Sequence, residues 1–320
     1  MLRGFFVFIP SHQPTALSAT WQLSYYATDS LLAKKQIDSI LERIDSSLSI
    51  YKPWSLISRF NASSSGMIVD DHFIRVINAA LDTYHQTNGI FDVTVQPLVQ
   101  AWGFSAKKVN TLPDSGTIRV LKQCVDSRYL SLDGARLSKS KPCVTIDVNG
   151  IAQGYSVDVL AGFLEKKGIR HYIVELGGEI RVRGKRQPSN DPMRIGIESP
   201  GDDAFSLSMM KKIITIDSGA ITTSGSYRKF YESEGKKISH IIDPRTGYSA
   251  QNELISVTVY ARNAITADAY DNALMVMGLA KAMEFVEKRP DMAAYFIYRQ
   301  KDGSIADTAT HLFYKFMIAK

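Results

Sequence analysis

The chain predicts an α+β fold, with mixed, largely antiparallel sheets flanked by helices. Three observations lead there. β-rich runs come in pairs around short Gly turns, as at Asp133-Gly134, Gly177-Gly178 and Asp302-Gly303. Apolar residues at helical spacing mark helices between those groups. The Gly-rich spacings that open a doubly wound parallel sheet, GxGxxG and the Walker loop, are absent.

Trp21 to Ala27 reads as a strand. Asp29-Ser30 offers an N-cap, and Leu31, Leu32, Ile37, Ile40, Leu41 and Ile44 give one helical face through about Leu48. Pro53 and a crowd of Ser and Asn residues then predict a polar loop over 49–61. Asp70-Asp71 begins a second helix that Gly89 ends. Residues 89–104 read as irregular, with Asp92 a candidate N-cap and Trp102 and Phe104 candidate core. A short helix ends near Cys124, and a hairpin follows over 129–138.

The stretch 144–184 stands at the centre. Val144 to Val148 predicts a strand, Asn149-Gly150 a turn, and Ile151 onward a helix that Gly168 closes. Tyr172 to Val174 and Ile180 to Val182 predict a hairpin. A helix entered through a Gly turn leaves free N–H groups that suit a phosphate, and the plain β-α-β reading stands equally beside that one.

Strands are then expected at 194–198, 212–216 and 220–223. Another carries His240 into an Asp243-Pro244 turn, where a Ser, an Arg and a Thr crowd around it. After a strand at 254–261, a helix opens with Asp268 and Asn272 four residues apart, hence on one face. They read either as a hard-cation pair or as ordinary first-turn polar residues. A helix over 280–287 and a hairpin over 292–316 close the chain.

The totals bound the function. Composition is that of a globular protein, 45% hydrophobic and 22% charged, with a net charge of +6. The basic excess is too diffuse for nucleic acid and suits anionic small molecules. Two cysteines, Cys124 and Cys143, give no zinc pattern and leave a single bridge open to an exported chain. No apolar run is long enough to cross a membrane. Residues 1–14 are set apart as an extension, read as an export remnant or a first strand, ahead of one domain over 15–320.

Six segments together resemble the ApbE family of FAD:protein FMN transferases: SIYKPWSLISRFN, GIFDVTVQPLVQAWGF, DVNGIAQGYSVD, ELGGEIRVRG, SGSY with SHIIDPRTG, and ADAYDNALMVMG. They keep the family's order and cover about residues 15–315. The resemblance implies a magnesium-dependent reaction in which FAD is split at its diphosphate. FMN is joined to a threonine hydroxyl of an acceptor flavoprotein, and AMP leaves. Acceptors in the family are subunits of membrane redox complexes, such as sodium-pumping NADH:quinone oxidoreductase. They carry a motif of the type Asp-x-x-(Ser/Thr)-(Gly/Ala)-Ala-Thr.

Carried over residue by residue, the resemblance makes His240 the base and Asp268 a catalytic carboxylate and metal ligand. The Ala152 carbonyl and Asn272 complete the implied metal set. Asn61, Asp92, Asp158, Gly177, Gly178, Ser224, Arg245, Thr246 and Gly247 fall on the implied FAD site. Two positions depart from the family. Gln153 replaces a lysine, leaving Lys185, Arg228 or Arg245 to supply charge, and Asn272 replaces a threonine. Those departures keep two other activities in view, an FAD diphosphatase releasing FMN and AMP to water and a non-catalytic FAD-binding protein. By the same resemblance the protein is expected to be periplasmic or extracytoplasmic and associated with the inner membrane, though no lipid-bearing Cys lies near this N-terminus.

Overall fold

Alternate residues of the central strands enter different cores, and that alternation builds the layers. In a computed structural model, residues 5–10, 20–27, 31–105, 111–200, 207–226, 230–233 and 236–318 are described. The first half of the chain gives strands β1 (Phe5–Pro10) and β2 (Trp21–Ala27), helices α1 (Lys34–Leu48) and α2 (Leu56–Ala62), strand β3 (Gly66–Ile68), and helices α3 (Asp71–Gln86), α4 (Gln96–Ala101) and α5 (Ser115–Leu121). The middle gives β4 (Leu130–Asp133), β5 (Arg136–Lys139), α6 (Ala152–Lys166), β6 (Tyr172–Leu176), β7 (Glu179–Arg183), β8 (Met193–Pro200), β9 (Leu207–Ile216), β10 (Ser218–Gly225), β11 (Phe230–Ser233) and β12 (Lys236–Ser239). The last part gives β13 (Leu254–Ala261), α7 (Ala264–Met277), α8 (Leu279–Glu287), β14 (Ala293–Arg299), β15 (Ile305–Ala309) and α9 (His311–Tyr314).

Eight strands form one sheet in the order β1-β2-β6-β7-β10-β13-β14-β15. Every ladder among the described residues is antiparallel, in agreement with the α+β expectation. Helices α1, α3, α6 and α7 cover one face, where Leu23, Val174 and Ala220 meet Ile44, Phe73 and Leu160. The opposite face packs Val182, Ile221 and Tyr295 against the β8–β9 hairpin and Phe313 of α9. Along β14 the alternation is plain: Ala294 and Phe296 point into the core around α7, and Tyr295 and Ile297 point away from it.

Several expectations change. Residues 5–10, read as an export remnant or a first strand, form the strand and pair with β2 from Phe5↔Ala27 to Pro10↔Gln22. The polar loop over 49–61 ends in a helix, α2, because Ser55 caps it by accepting the Ser58 N–H at 3.2 Å, and Pro53 lies upstream of that cap. Pro97 does not break residues 89–104. It sits in the first turn of α4, where no N–H is missed. The segment 144–148 joins no sheet, so the central unit is not β-α-β. The closing hairpin is shorter than expected, and its last residues form α9. The Asp29-Ser30 cap lies outside the described residues.

Segment 144–148 is nevertheless held in place by side chains. Asn61 reads both backbone groups of Ile146, its Oδ1 accepting the N–H at 2.7 Å and its Nδ2 donating to the carbonyl at 2.9 Å. The buried Lys139 ammonium donates to the Val144 carbonyl at 2.8 Å. Cys143, next in chain, forms a disulfide with Cys124, the bridge that the sequence leaves open.

Helix α6 meets α7 at unusually short range, and Gly154 permits it. A Cβ at that position would stand 2.3 Å from the Ala264 carbonyl oxygen and 2.7 Å from the Asp268 Cβ. Gly154→Ala is expected to lower stability by about 1–3 kcal/mol, since backbone must move, and chemical denaturation reads the loss.

Candidate functional site

The start of α6, the start of α7 and the end of β12 converge on one cavity of about 740 Å³. Its floor is the Asn149-Gly150 turn with Ala152 and Gln153. Asp268, Asp271 and Asn272 come from α7, and Ser224 comes from the end of β10. His240 and Ile242 line one wall, Phe104 and Asp92 another, and Glu175, Gly177 and Glu179 a third.

Asp268 is buried where α7 meets the start of α6. It is 3% exposed, and its Oδ2 accepts the Gly154 N–H at 2.8 Å. That donor is one of the free N–H groups at the α6 N-terminus, so the chain's own carboxylate takes part of the anion site expected there. Burial pushes the Asp268 carboxyl well above the ordinary range, and the Asp158 charge adds to the shift.

Asn272, one turn later, stands among oxygens. Its Nδ2 donates to the Asp268 carbonyl at 3.0 Å and to Asp271 Oδ1 at 2.9 Å, and lies 3.4 Å from the Gly150 carbonyl. Its Oδ1 lies 3.4 Å from Ser224 Oγ. Several oxygens thus gather around a single polarised NH2 group. Gly150 offers the carbonyl on that side. The Ala152 carbonyl, expected as a ligand, accepts Ser156 Oγ within α6 at 2.7 Å. Among the described residues no cluster of three or more His, Cys, Asp and Glu side chains has metal-binding geometry. An all-oxygen set of the Asp271 carboxylate, the Gly150 and Asp268 carbonyls and the Asn272 amide, with the Asp268 carboxylate lining the same cavity, is of the kind magnesium takes when phosphates complete its shell, so the residues present fit that ion.

His240 follows β12 directly. Its ring faces the edge of Phe104, with centroids 6.2 Å apart. The backbone on either side is fixed: Ser239 N donates to Ser249 Oγ at 3.0 Å, and Ala250 N to the Ile241 carbonyl at 2.8 Å. A half-buried imidazole on a rigid backbone at a cavity wall can take a proton from a hydroxyl brought to it.

Other expected residues have their polar groups engaged at the cavity wall or behind it. Asp158 lies behind it: its two oxygens accept the Ala264 and Ile265 N–H groups at 3.0 and 2.9 Å, and Arg181 pairs with it at 2.6 Å. Asn263 gives α7 no side-chain cap, so Asp158 caps that helix from α6 and fixes where Asp268 points. Asn61 spends its amide on Ile146, as above. Asp92 lines the wall while accepting four bonds, from Thr94 N and Oγ1 and from Ser127 N and Oγ, which is the capping role open to it in sequence.

Arg245, Thr246 and Gly247 form the tip of the turn after His240. Arg245 doubles back on Asp243 at 2.8 Å, and the Gly247 carbonyl accepts Trp102 Nε1 at 2.8 Å. Of that turn, Pro244 reaches the cavity. Gly177 lines the cavity at φ 63°, where a side chain would be strained, and Gly178 completes the turn outside the lining. Tyr227 and Arg228 lie outside the described residues.

The sequence pointed to the Asn149-Gly150 turn as a phosphate site but not to the Gly150 carbonyl, and it gave no role to Tyr51, Asp147, Glu175, Glu179 or Asp271, which also line the cavity. Asp271 had a signal, three residues from Asp268 on one helix face. A carbonyl such as Gly150's has none. The gathered charge was also hidden. Asp92, Asp147, Glu175, Glu179, Asp268 and Asp271 all line the cavity, and no Lys or Arg does among the described residues. Burial raises Glu175 too, helped by Glu198.

Comparison with known proteins gives a consistent result. The ApbE family model matches residues 17–296. A Vibrio cholerae protein named FAD:protein FMN transferase is 35% identical over 294 residues, 90% of this chain and 86% of its own. The solved flavin transferase ApbE from Vibrio cholerae superposes with a TM-score of 0.86 at 33% identity, over 98% of this chain and 100% of that one. The apo flavinyl transferase ApbE of Pseudomonas stutzeri gives 0.87 at 30% identity, over 99% and 98%. A variant of the Vibrio cholerae structure, with a histidine replaced by glycine, is similarly close, at 0.85.

Proposed function

Because the chain belongs to the ApbE family and transfers FMN from FAD to an acceptor protein, we propose that it does so with magnesium, onto a threonine hydroxyl, at the cavity between α6 and α7. The observation that carries the magnesium reading is the charge of the walls. Six acidic side chains and no described Lys or Arg line the cavity, so those that are ionised would repel a diphosphate unless a cation came with it. Gln153, placed at the helix start, adds no charge of its own.

The chain's residues divide the work. The Gly154 N–H holds the buried Asp268 carboxylate at the cavity, where it, the Asp271 carboxylate and the Gly150 carbonyl would hold a dication, with Asn272 turning its amide to present Oδ1. Held there, a dication would supply positive charge to offset that of the diphosphate. His240 accepts the proton of the acceptor hydroxyl. That oxygen forms a bond to the FMN phosphorus, the bond from phosphorus to the AMP oxygen breaks, and AMP departs with the electron pair. Phe104 and Ile242 keep the wall beside His240 apolar, which limits the entry of water as a rival nucleophile.

The acceptor is a flavoprotein, and we assign it to the subunits of membrane redox complexes. The site of action we propose is extracytoplasmic, at the inner membrane where such complexes stand. The Cys124–Cys143 disulfide supports that compartment, since such bridges persist where thiols are oxidised. No helix among the described residues is long and apolar enough to cross a membrane.

The test is mass spectrometry of a flavin-carrying domain bearing the acceptor motif, incubated with the chain, FAD and magnesium. A gain of one FMN with release of AMP, lost in EDTA, is expected. Free FMN beside an unmodified acceptor would identify a diphosphatase instead, and intact FAD a binding protein.

A further inference from the structure

We infer that the loop over residues 49–55 is a docking platform for the acceptor protein, with Trp54 as its anchor; this rests on the transfer reading above. Trp54 is 60% exposed, an uncommon state for the largest side chain on a protein surface. Its position is not accidental to the site. Tyr51, in the same loop, lines the cavity and is itself 47% exposed, so one loop joins the cavity wall to the outer surface.

The loop is rigid. Ser55 Oγ donates to the Ser49 carbonyl at 2.7 Å, and Ser55 N donates to the Lys52 carbonyl at 3.1 Å. Lys52 pairs with the buried carboxylate of Asp45, and the same ammonium stands 5.0 Å from the centre of the Trp54 ring. An aromatic side chain already held in place loses little freedom when a partner covers it, which is how interface anchors gain affinity.

Geometry selects the partner. The acceptor must bring a hydroxyl inside the cavity, so the residues beside that hydroxyl must cross the rim. Trp54 lies three residues from Tyr51, at most about 11 Å along the chain. An extended acceptor segment advances about 3.3 Å per residue, so residues a few positions from the modified threonine leave the cavity across the rim that this loop forms. An aliphatic, proline or aromatic residue there would fit the indole.

The test uses the whole chain and a flavin-carrying domain bearing the acceptor motif. Trp54→Ala is expected to raise the KM for that domain about tenfold, as an interface anchor does, with kcat and the dissociation constant for FAD unchanged. Trp54→Phe should restore most of the affinity. An unchanged KM for the domain in Trp54→Ala overturns the inference. So does an equal loss of FAD affinity, which would make the indole a nucleotide contact. Failure of the unaltered chain to modify the domain would instead count against the transfer reading itself.

Discussion

Asp268→Asn is expected to lower FMN transfer by roughly 10³-fold, the scale seen when one preorganised electrostatic partner of a transition state is removed. The substitution keeps an oxygen for the Gly154 N–H and nearly the same volume between α6 and α7, so the fold should survive. The distinguishing readout is thermal stability in EDTA as a function of pH. In the unaltered protein, burial raises the Asp268 pKa above its unfolded value. The folded chain therefore holds a proton that the unfolded chain has released, and stability is lost as pH rises above the ordinary carboxylate range. The variant has no such proton and should lack that slope. A variant that transfers FMN at the original rate would remove Asp268 from the chemistry, whatever its stability.

His240→Ala is expected to slow transfer by roughly 10²–10⁴-fold, the range for loss of a positioned base. FAD affinity should change little, because the ring contributes to the wall rather than to the oxygen set around Asn272. The ring's absence leaves a space beside Phe104, and added imidazole should restore part of the rate. Single-turnover transfer to the acceptor domain, with and without imidazole, reads both effects. Loss of FAD binding in parallel with the rate would make His240 a structural part of the wall.

Much of this was legible in the chain before its structure. The antiparallel hairpins announce themselves through Gly turns, and α3, α6 and α7 through periodic apolar residues ended by Gly. His240 and Asp268 stand out because each is a reactive side chain in polar company. What was not legible depended on distant partners. Segment 144–148 has strand-like residues but pairs with side chains of Asn61 and Lys139, which no local pattern encodes. Asp158 looks like one more helical acid, yet it caps a helix more than a hundred residues away. Arg245, Thr246 and Gly247 belong to a recognisable turn, and only the fold directs that turn toward Trp102 and leaves Pro244 facing the cavity. The acid walls come from β6, β7, α7 and two loops, so no single stretch displays their combined charge.

Those walls have a consequence for how the cavity empties. Splitting a diphosphate into a phosphodiester on the acceptor and a free monophosphate raises the total negative charge held between the same carboxylates. The approach of the substrate thus depends on charge brought along with it, and the departure of AMP is driven by charge newly created. Such a cavity tends to expel its nucleotide product and gives AMP little hold as an inhibitor, so it resets itself after each acceptor is modified.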